Sequence, residues 1–341
     1  MECAIMVDRS GFDVVTLPDH VFHPVTIAQP PWDAHSLLAA IATRTERVML
    51  SPGVSDAIRR HPATLALETS TLDHLSNGRA MLSLGAGEEF NFTPTPEVEW
   101  SHSPASKLRE AIQVVRLLWE STKEHPANYQ GRHFRLSEAY HTLKPLQKFP
   151  PVYVGGYGPK MKRLTAELAD GWVPWVESPE TYAKGLKEIR SYAPGKGGTG
   201  FDPALMVFTS VDSDGAKARE ALRARAKWTL SIRTRLLEDM GYGDLARRSV
   251  DVWKARFSAD EVALIDALSR EIPDDVADGV TLAGTTDEVI DGIERYHDAG
   301  VRLLVINPNV DGGEFERTLS AFQRTIIPHF RERGTQGQVP P

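Results

Sequence analysis

The pattern that most restricts how this chain can fold is a repeated alternation: a short apolar run, a turn rich in Gly or Pro, then a stretch with apolar residues at helical spacing. Seven apolar runs read as strands: DVVTLP (13–18), RVMLSPGV (47–54), AMLSLGAG (80–87), PVYVGGYG (151–158), GWVPWV (171–176), ALMVFTSV (204–211) and RLLVINP (302–308). Most lack the apolar–polar alternation of a half-exposed sheet, as strands covered on both faces do. Helical stretches fall between them at 34–45, 62–75, 107–120, 160–169, 179–192 and 286–299. Pro62 suits a first helical turn. Thr285 or Thr286 can cap the last of these helices, and Gly300 can stop it. Strands alternating with helices predict a parallel sheet with helical crossovers, and at this length an α/β TIM (β/α)8 barrel carrying insertions.

Two stretches interrupt the rhythm. Residues 88–150 hold one good helix, with Leu108, Ile112, Val115 and Leu118 or Trp119 at helical spacing, between polar and Pro-rich segments. This predicts an insertion over one barrel mouth. Residues 214–284 are expected to be helical. The stretch 194–200 reads as a surface loop, 1–333 as one domain and 334–341 as a disordered tail. The chain opens in a helix over residues 2–9, stopped by Gly11. A closed eight-stranded barrel needs one more strand before it, so the first strand is expected to lie upstream of Met1, or to be missing or replaced.

Composition excludes more than it selects. A chain of 341 residues can bury a large core without disulfides or a structural metal. The formal net charge is -7, and the one basic stretch, 219–227, is interleaved with Ala and Leu. That stretch reads as the solvated face of a helix, so a nucleic-acid partner is not expected. Cys3 is the single cysteine, which excludes a disulfide framework and a multi-Cys metal site and fits a cytoplasmic protein. No apolar run approaches the ~20 residues that span a bilayer, and the N-terminus lacks the pattern of a signal peptide. No HExxH, Walker, GxSxG or Cys/His zinc pattern is present, which disfavours metal catalysis and serine hydrolysis.

In β/α barrels the reactive groups sit at the C-terminal ends of strands. The first run ends in Asp19-His20, where an imidazole can donate or accept a proton or simply bond a neighbouring loop. The second ends in Pro52-Gly53-Val54, followed by Arg59-Arg60-His61-Pro62; on local evidence this is a turn. The third ends in Gly85-Ala86-Gly87-Glu88-Glu89-Phe90-Asn91. Its small residues let a flat ring or an anion approach the backbone, with a carboxylate alongside. The third Gly and immediate helix of a dinucleotide fingerprint are missing. The fourth ends in Gly155-Gly156-Tyr157-Gly158-Pro159-Lys160 and leads into a helix. Amides at a helix start attract phosphate, and Lys160 adds charge that an ordinary helix start would avoid. Trp172 and Trp175, after the fifth, read as core rather than pocket lining.

Taken together, GFDVVTLPDH (11–20), TERVMLSPGVSDAIRRHPATLALETSTLDHLSNGRAMLSLGAGE (45–88), PVYVGGYGPKMKRLTAELADGW (151–172) and GTTDEVIDGIERYHDAGVRLLVIN (284–307) resemble the bacterial luciferase-like superfamily. Within it they resemble the branch that uses 8-hydroxy-5-deazaflavin, coenzyme F420. The resemblance implies hydride transfer between the deazaflavin C5 and a small organic substrate of the ketone/alcohol or methylene-pterin type, in a homodimer. It implies that His20 and Glu88 handle the proton. Asp19, Gly53, Val54, Ala86, Gly87, Asn91, Tyr157, Gly158, Lys160 and Met161 match the family's cofactor contacts. Among them, Gly53-Val54 matches a non-prolyl cis peptide against the middle of the ring, and residues 157–161 match a phosphate-binding turn. Pro24 stands where the sugar-phosphate branch has Trp, which argues against glucose 6-phosphate as substrate. Three alternatives stand beside this reading. One is an FMN-dependent monooxygenase of the same superfamily, and another a (deaza)flavin-binding protein without catalysis. The last is an unrelated barrel lyase or aldolase, for which the usual strand-end lysine is absent.

Overall fold

The computed structural model describes residues 1–22, 32–92, 94–95, 103–193, 200–308 and 313–336. Pro24 and most of the expected 194–200 loop lie outside them. The strands are β1 (Val14–Leu17), β2 (Met49–Pro52), β3 (Ser55–Asp56), β4 (Leu82–Gly85), β5 (Ala127–Gln130), β6 (Arg135–Ala139), β7 (Val152–Val154), β8 (Gly171–Trp172), β9 (Asp202–Val211), β10 (Thr281–Gly284) and β11 (Leu303–Pro308). Helices α1 (Glu2–Arg9), α2 (Ala34–Ala42), α3 (Pro62–Ser76), α4 (Pro104–Glu120), α5 (Pro159–Leu168) and α6 (Pro179–Tyr192) alternate with the first eight strands.

Among the described residues every pairing outside the β5–β6 hairpin is parallel. Val14 registers with Met49, Leu82 with Val152, Tyr153 with Gly171, Gly171 with Asp202, and Ala204 with Leu303. A single parallel bridge between Leu50 and Ala80 joins β2 to β4. Seven strands therefore follow one another as β1–β2–β4–β7–β8–β9–β11. Val14, Met49, Met81, Tyr153, Val173, Ala204 and Leu303, one from each of these strands or the residue beside it, pack into one apolar cluster. Side chains from successive strands meeting in a layer are what fills the interior of a β/α barrel.

Among the described residues no strand pairs with the outer edge of β1 or β11. Both strands are half-exposed along their whole length, whereas β4 is buried throughout. The flank of β1 is met instead by the C-terminal helices: Phe12 stacks on Phe322 with ring centroids 5.9 Å apart, and Arg331 Nη2 donates to the Gly11 carbonyl at 2.6 Å. Helix α1 is tied to the start of β2 by Asp8, whose carboxylate accepts from the amides of Glu46, Arg47 and Val48 at 2.9–3.1 Å.

Two findings differ from the sequence reading. The segment 214–284 does hold helices α7 (Gly215–Leu230), α8 (Thr234–Asp239), α9 (Gly243–Arg248), α10 (Ala259–Ser269) and α11 (Asp274–Asp278), but it ends in strand β10. Four residues, TLAG, are too few and too small to show a periodicity, and their pairing with Phe208–Val211 exists only because β9 is long enough to serve two neighbours. The 88–150 segment also carries the β5–β6 hairpin, whose polar, largely exposed residues (NYQ, RLSEA) give no core signal. The basic face of α7 is neutralised at the surface by pairs of Arg219 with Glu288, Arg223 with Asp278 and Lys227 with Asp274.

Helix α12 (Thr286–Asp298) starts with a capping box: Thr285 Oγ1 accepts from the Glu288 amide, and Glu288 accepts from the Thr285 amide at 2.7 Å. After β11 come α13 (Glu314–Ala321), a π-helical turn over Phe322–Ile326 and α14 (Ile327–Gln336), which takes in the first residues of the expected tail. Residues 337–341 lie outside the described residues. Among those that are described, no helix is long and apolar enough to cross a membrane, and no group of three His, Cys, Asp or Glu side chains could hold a metal ion.

Candidate active site

The C-terminal ends of β1, β2, β4 and β7 meet at the Gly53–Val54 turn. The Gly53–Val54 peptide bond is cis, and Val54 packs against the barrel-interior cluster. A Cβ built on Gly85 would lie 2.7 Å from Val54 Cγ2, and one on Gly155 would lie 3.3 Å from Val54 Cγ1. Glycine at the ends of β4 and β7 thus makes the space that the valine fills. Gly53 is itself pressed on the end of β1, where a Cβ would meet that of Thr16 at 2.9 Å. Overpacking of this kind costs about 1–3 kcal/mol. Gly85→Ala is therefore expected to lower the unfolding free energy by that amount, read as a lower urea midpoint, and to displace the 53–54 turn; an unchanged midpoint would show the contact to be slack.

Asp19 is buried at 3% exposure. It accepts from Ser55 Oγ at 2.6 Å and from Arg60 Nε at 3.1 Å, while Arg59 Nη2 donates to its backbone carbonyl at 2.5 Å. Burial alone would raise its pKa, but the Arg60 hydrogen bonds, the Arg59 charge and Ser55 outweigh that and hold it below the usual carboxylate range. Arg60 also reaches Asp33 at 2.6 Å and Glu68 at 2.9 Å. The carboxylate of Asp19 is therefore engaged within the protein and fixes the peptide that carries His20. Sequence reasoning took the Pro52-Gly53 strand end as a plain turn and gave the Arg59-Arg60 that follows it no role. The available signal was two consecutive arginines after one strand end and an aspartate after its neighbour, since a buried carboxylate needs a cation.

Ala86 is buried at the end of β4, and Gly87 follows at φ +81°, where a Cβ would strike the Phe92 ring at 2.9 Å. That turn sends Glu88 toward His20: Glu88 Oε2 lies 3.8 Å from His20 Nδ1, with about a quarter of each side chain exposed. The Asn91 amide nitrogen lies 3.1 Å from the same Nδ1, and the Phe90 ring sits 5.3 Å from the imidazole. Burial pushes the Glu88 carboxyl up to about 7, with Asp56 repulsion adding to it and Arg59 opposing it. A carboxyl that exchanges its proton near neutrality, in a cleft beside an imidazole, is suited to acid–base work.

The turn after β7 is held by its tyrosine and leads into α5. The Tyr157 hydroxyl donates to the Trp175 carbonyl at 3.0 Å and accepts from the Trp175 amide at 2.8 Å, and its pKa is pushed up to about 12 chiefly by burial. Arg233 lies 3.6 Å above the Tyr157 ring. Gly158 caps α5 without a side-chain bond, and the space where its Cβ would stand is open. Met161 is buried, its side chain packed against Gly156 of the turn. Lys160 is exposed; the buried lysine of this helix is Lys162, paired with Glu188 at 2.7 Å. Trp172 is core, stacked on Tyr182, and donates to the Gly156 carbonyl at 2.9 Å.

A cavity of about 230 Å³ lies against Tyr157, Gly158, Lys162, Glu177, Arg233 and Trp253. Arg233 is 5% exposed and pairs with Glu177 at 2.9 Å. Nothing in the sequence marked it, because it comes from the 214–284 insertion, far from any strand end. The same insertion reaches the other half of the site: Glu89 donates its amide to the Trp253 carbonyl at 3.2 Å, and Arg256 pairs with the Glu89 carboxylate at 2.7 Å.

Known proteins share this architecture. It is 28% identical to 5,10-methylenetetrahydromethanopterin reductase of Archaeoglobus fulgidus, over 96% of this chain and 94% of that one. It is 30% identical to phthiodiolone/phenolphthiodiolone dimycocerosates ketoreductase of Mycobacterium bovis, over 83% of this chain and 74% of the other. Among solved structures, an F420-dependent secondary alcohol dehydrogenase in complex with an F420-acetone adduct superposes with a TM-score of 0.78 at 27% identity, covering 96% of this chain and 93% of that one. The luciferase-like monooxygenase family model matches residues 1–303. With parallel β/α architecture and sequence match in agreement, the chain belongs to the luciferase-like monooxygenase family.

Proposed function

We propose that this protein is a coenzyme F420-dependent oxidoreductase acting on a small ketone or alcohol, or on a methylene-pterin type substrate. The observation that carries the reading is the Glu88 carboxyl, poised to gain or lose a proton near neutral pH 3.8 Å from His20 at the barrel mouth. Reduction of a carbonyl by hydride needs one proton at the oxygen, and oxidation of an alcohol needs one removed. The names of the reductase, the ketoreductase and the alcohol dehydrogenase support the same class of chemistry.

The deazaflavin supplies a hydride-carrying carbon when bound, as cofactors do the redox chemistry that side chains cannot. The residues present fit such a group. Gly53 and Val54 would support the middle of the ring, with Ala86 and Gly87 letting it approach the end of β4. Gly158 leaves open space before the uncapped start of α5, where amides would receive the phosphate of the cofactor's tail. The amides of Lys160 and Met161 belong to that same first turn, Tyr157 forms its wall, and Lys160 can add charge from the surface. Asp19 would act through the His20 peptide it anchors. His20 and Glu88 would hold and move the proton, and the 251–257 segment, held to Glu89 through Trp253 and Arg256, would screen the site from water.

Titration of the purified protein with coenzyme F420, FMN and NADP, followed by fluorescence, tests the assignment. Saturable binding of F420, with reversible bleaching of its absorbance in the presence of a secondary alcohol, is the expected result. Preferential FMN binding with oxygen-dependent turnover would instead place the protein among the monooxygenases.

A further inference from the structure

We infer that Asn91 is a positioning residue that locks His20 in the tautomer with its proton on Nε2, so that the exchangeable proton of the site resides on Glu88 and not on the Glu88-facing nitrogen of the imidazole. This deepens the proposed function and rests on it, because it assigns different tasks to two residues described there only as a proton-handling pair.

The geometry is determined from both ends of the amide. Asn91 is 4% exposed, so its amide is held in place and its two ends cannot exchange freely. The Val21 backbone N–H lies 3.1 Å from Asn91 Oδ1, and a backbone N–H can meet only an acceptor there. That fixes the other end as the NH2 group, which lies 3.1 Å from His20 Nδ1. An NH2 donor requires a lone pair on Nδ1. In the neutral ring the proton is then on Nε2.

The neighbourhood makes this a contest. Glu88 Oε2, 3.8 Å from the same Nδ1, would draw a proton onto that nitrogen and form an ion pair if nothing opposed it. Beyond Glu88 stand Asp56, which disfavours its ionisation, and Arg59, which favours it. Asp19 is next to His20 in the chain, but its carboxylate is turned to Ser55, Arg59 and Arg60. Phe90 covers the ring and offers no proton acceptor. Of these groups, Asn91 is the one whose hydrogen bond is lost when Nδ1 becomes protonated. Its N–H would face another N–H, and the burial of Glu88 works in the same direction by favouring the neutral acid.

The test uses the full chain without cofactor. With the histidines labelled by nitrogen-15, and the His20 signals identified by their loss in His20→Gln, long-range proton–nitrogen correlation reads the tautomer directly. At neutral pH the His20 ring is expected to show a bare Nδ1 and a protonated Nε2. Asn91→Asp replaces the donor by an acceptor and should convert the ring to the Nδ1–H or doubly protonated form, while Asn91→Leu should give a mixture. In turnover, Asn91→Asp should displace the pH profile of kcat with little change in KM, which a merely structural role would not do. A wild-type ring protonated at Nδ1, or an Asn91→Asp variant with an unchanged nitrogen pattern, overturns the inference. These spectra need no deazaflavin, so their outcome is separable from that of the F420 titration.

Discussion

Glu88→Gln is expected to lower turnover about 10²–10⁴-fold, the range that positioned acid–base groups contribute, equivalent to about 3–5 kcal/mol of barrier. KM and deazaflavin affinity should stay near those of the wild type, because the amide keeps the shape of the carboxyl and loses only its titration. The pH dependence follows from the direction of the shift. With the carboxyl pushed up to about 7 by burial, the acid form predominates below that pH and the base form above it. Carbonyl reduction, which needs the acid, should fall as pH rises through about 7. Alcohol oxidation, which needs the base, should rise over the same range. Stability moves with it: the folded state holds this proton between the ordinary 4.5 and about 7 whereas the unfolded chain releases it, so the contribution of Glu88 declines as pH rises across that window. Glu88→Gln should remove the decline and leave the variant more stable than the wild type at alkaline pH. Thermal unfolding across pH, with initial rates in both directions, measures all of this. A variant that keeps full turnover would take Glu88 out of the chemistry.

Arg233→Met should cost about 3–5 kcal/mol of folding stability, the usual penalty for stranding one member of a buried pair. Glu177 is 7% exposed, and burial already raises its pKa despite the opposing charge of Arg233. Without the guanidinium it must take up a proton or remain as a lone buried charge, so the loss should deepen as pH rises. The same substitution removes the cation over the Tyr157 ring and one wall of the 230 Å³ cavity. A second change, Glu177→Met in the Arg233→Met background, should restore much of the stability by removing the stranded carboxylate. Urea unfolding of the two variants decides the matter. A drop below 1 kcal/mol would mean that the pair is solvated and contributes little.

How much of this was legible in the sequence depended on whether the signal was local. The strand–turn–helix rhythm reports burial on both faces of each strand, so β1, β2, β4, β7, β8, β9 and β11 were all readable. β10 was not, because TLAG becomes a strand only by pairing with the far half of β9. Candidate site residues at strand ends, such as His20 and Glu88, are singled out by position once the barrel is assumed, and their roles come from the family resemblance. Arg233 and Trp253 reach the site from an insertion whose course no periodicity encodes. Lys160, next to the expected anion turn in sequence, has an exposed side chain, whereas Lys162 is buried because two positions along a helix turn a residue through more than half a revolution.

The methyl groups of Val54 occupy the volumes where side chains would begin at Gly85 and Gly155. Three strands that are distant in sequence thereby share a single steric allowance. A lineage that enlarges either glycine must shrink the valine or abandon the bend beneath it. Drift at positions 54, 85 and 155 should accordingly be correlated among descendants of this chain, with each change permissible only in the background of another.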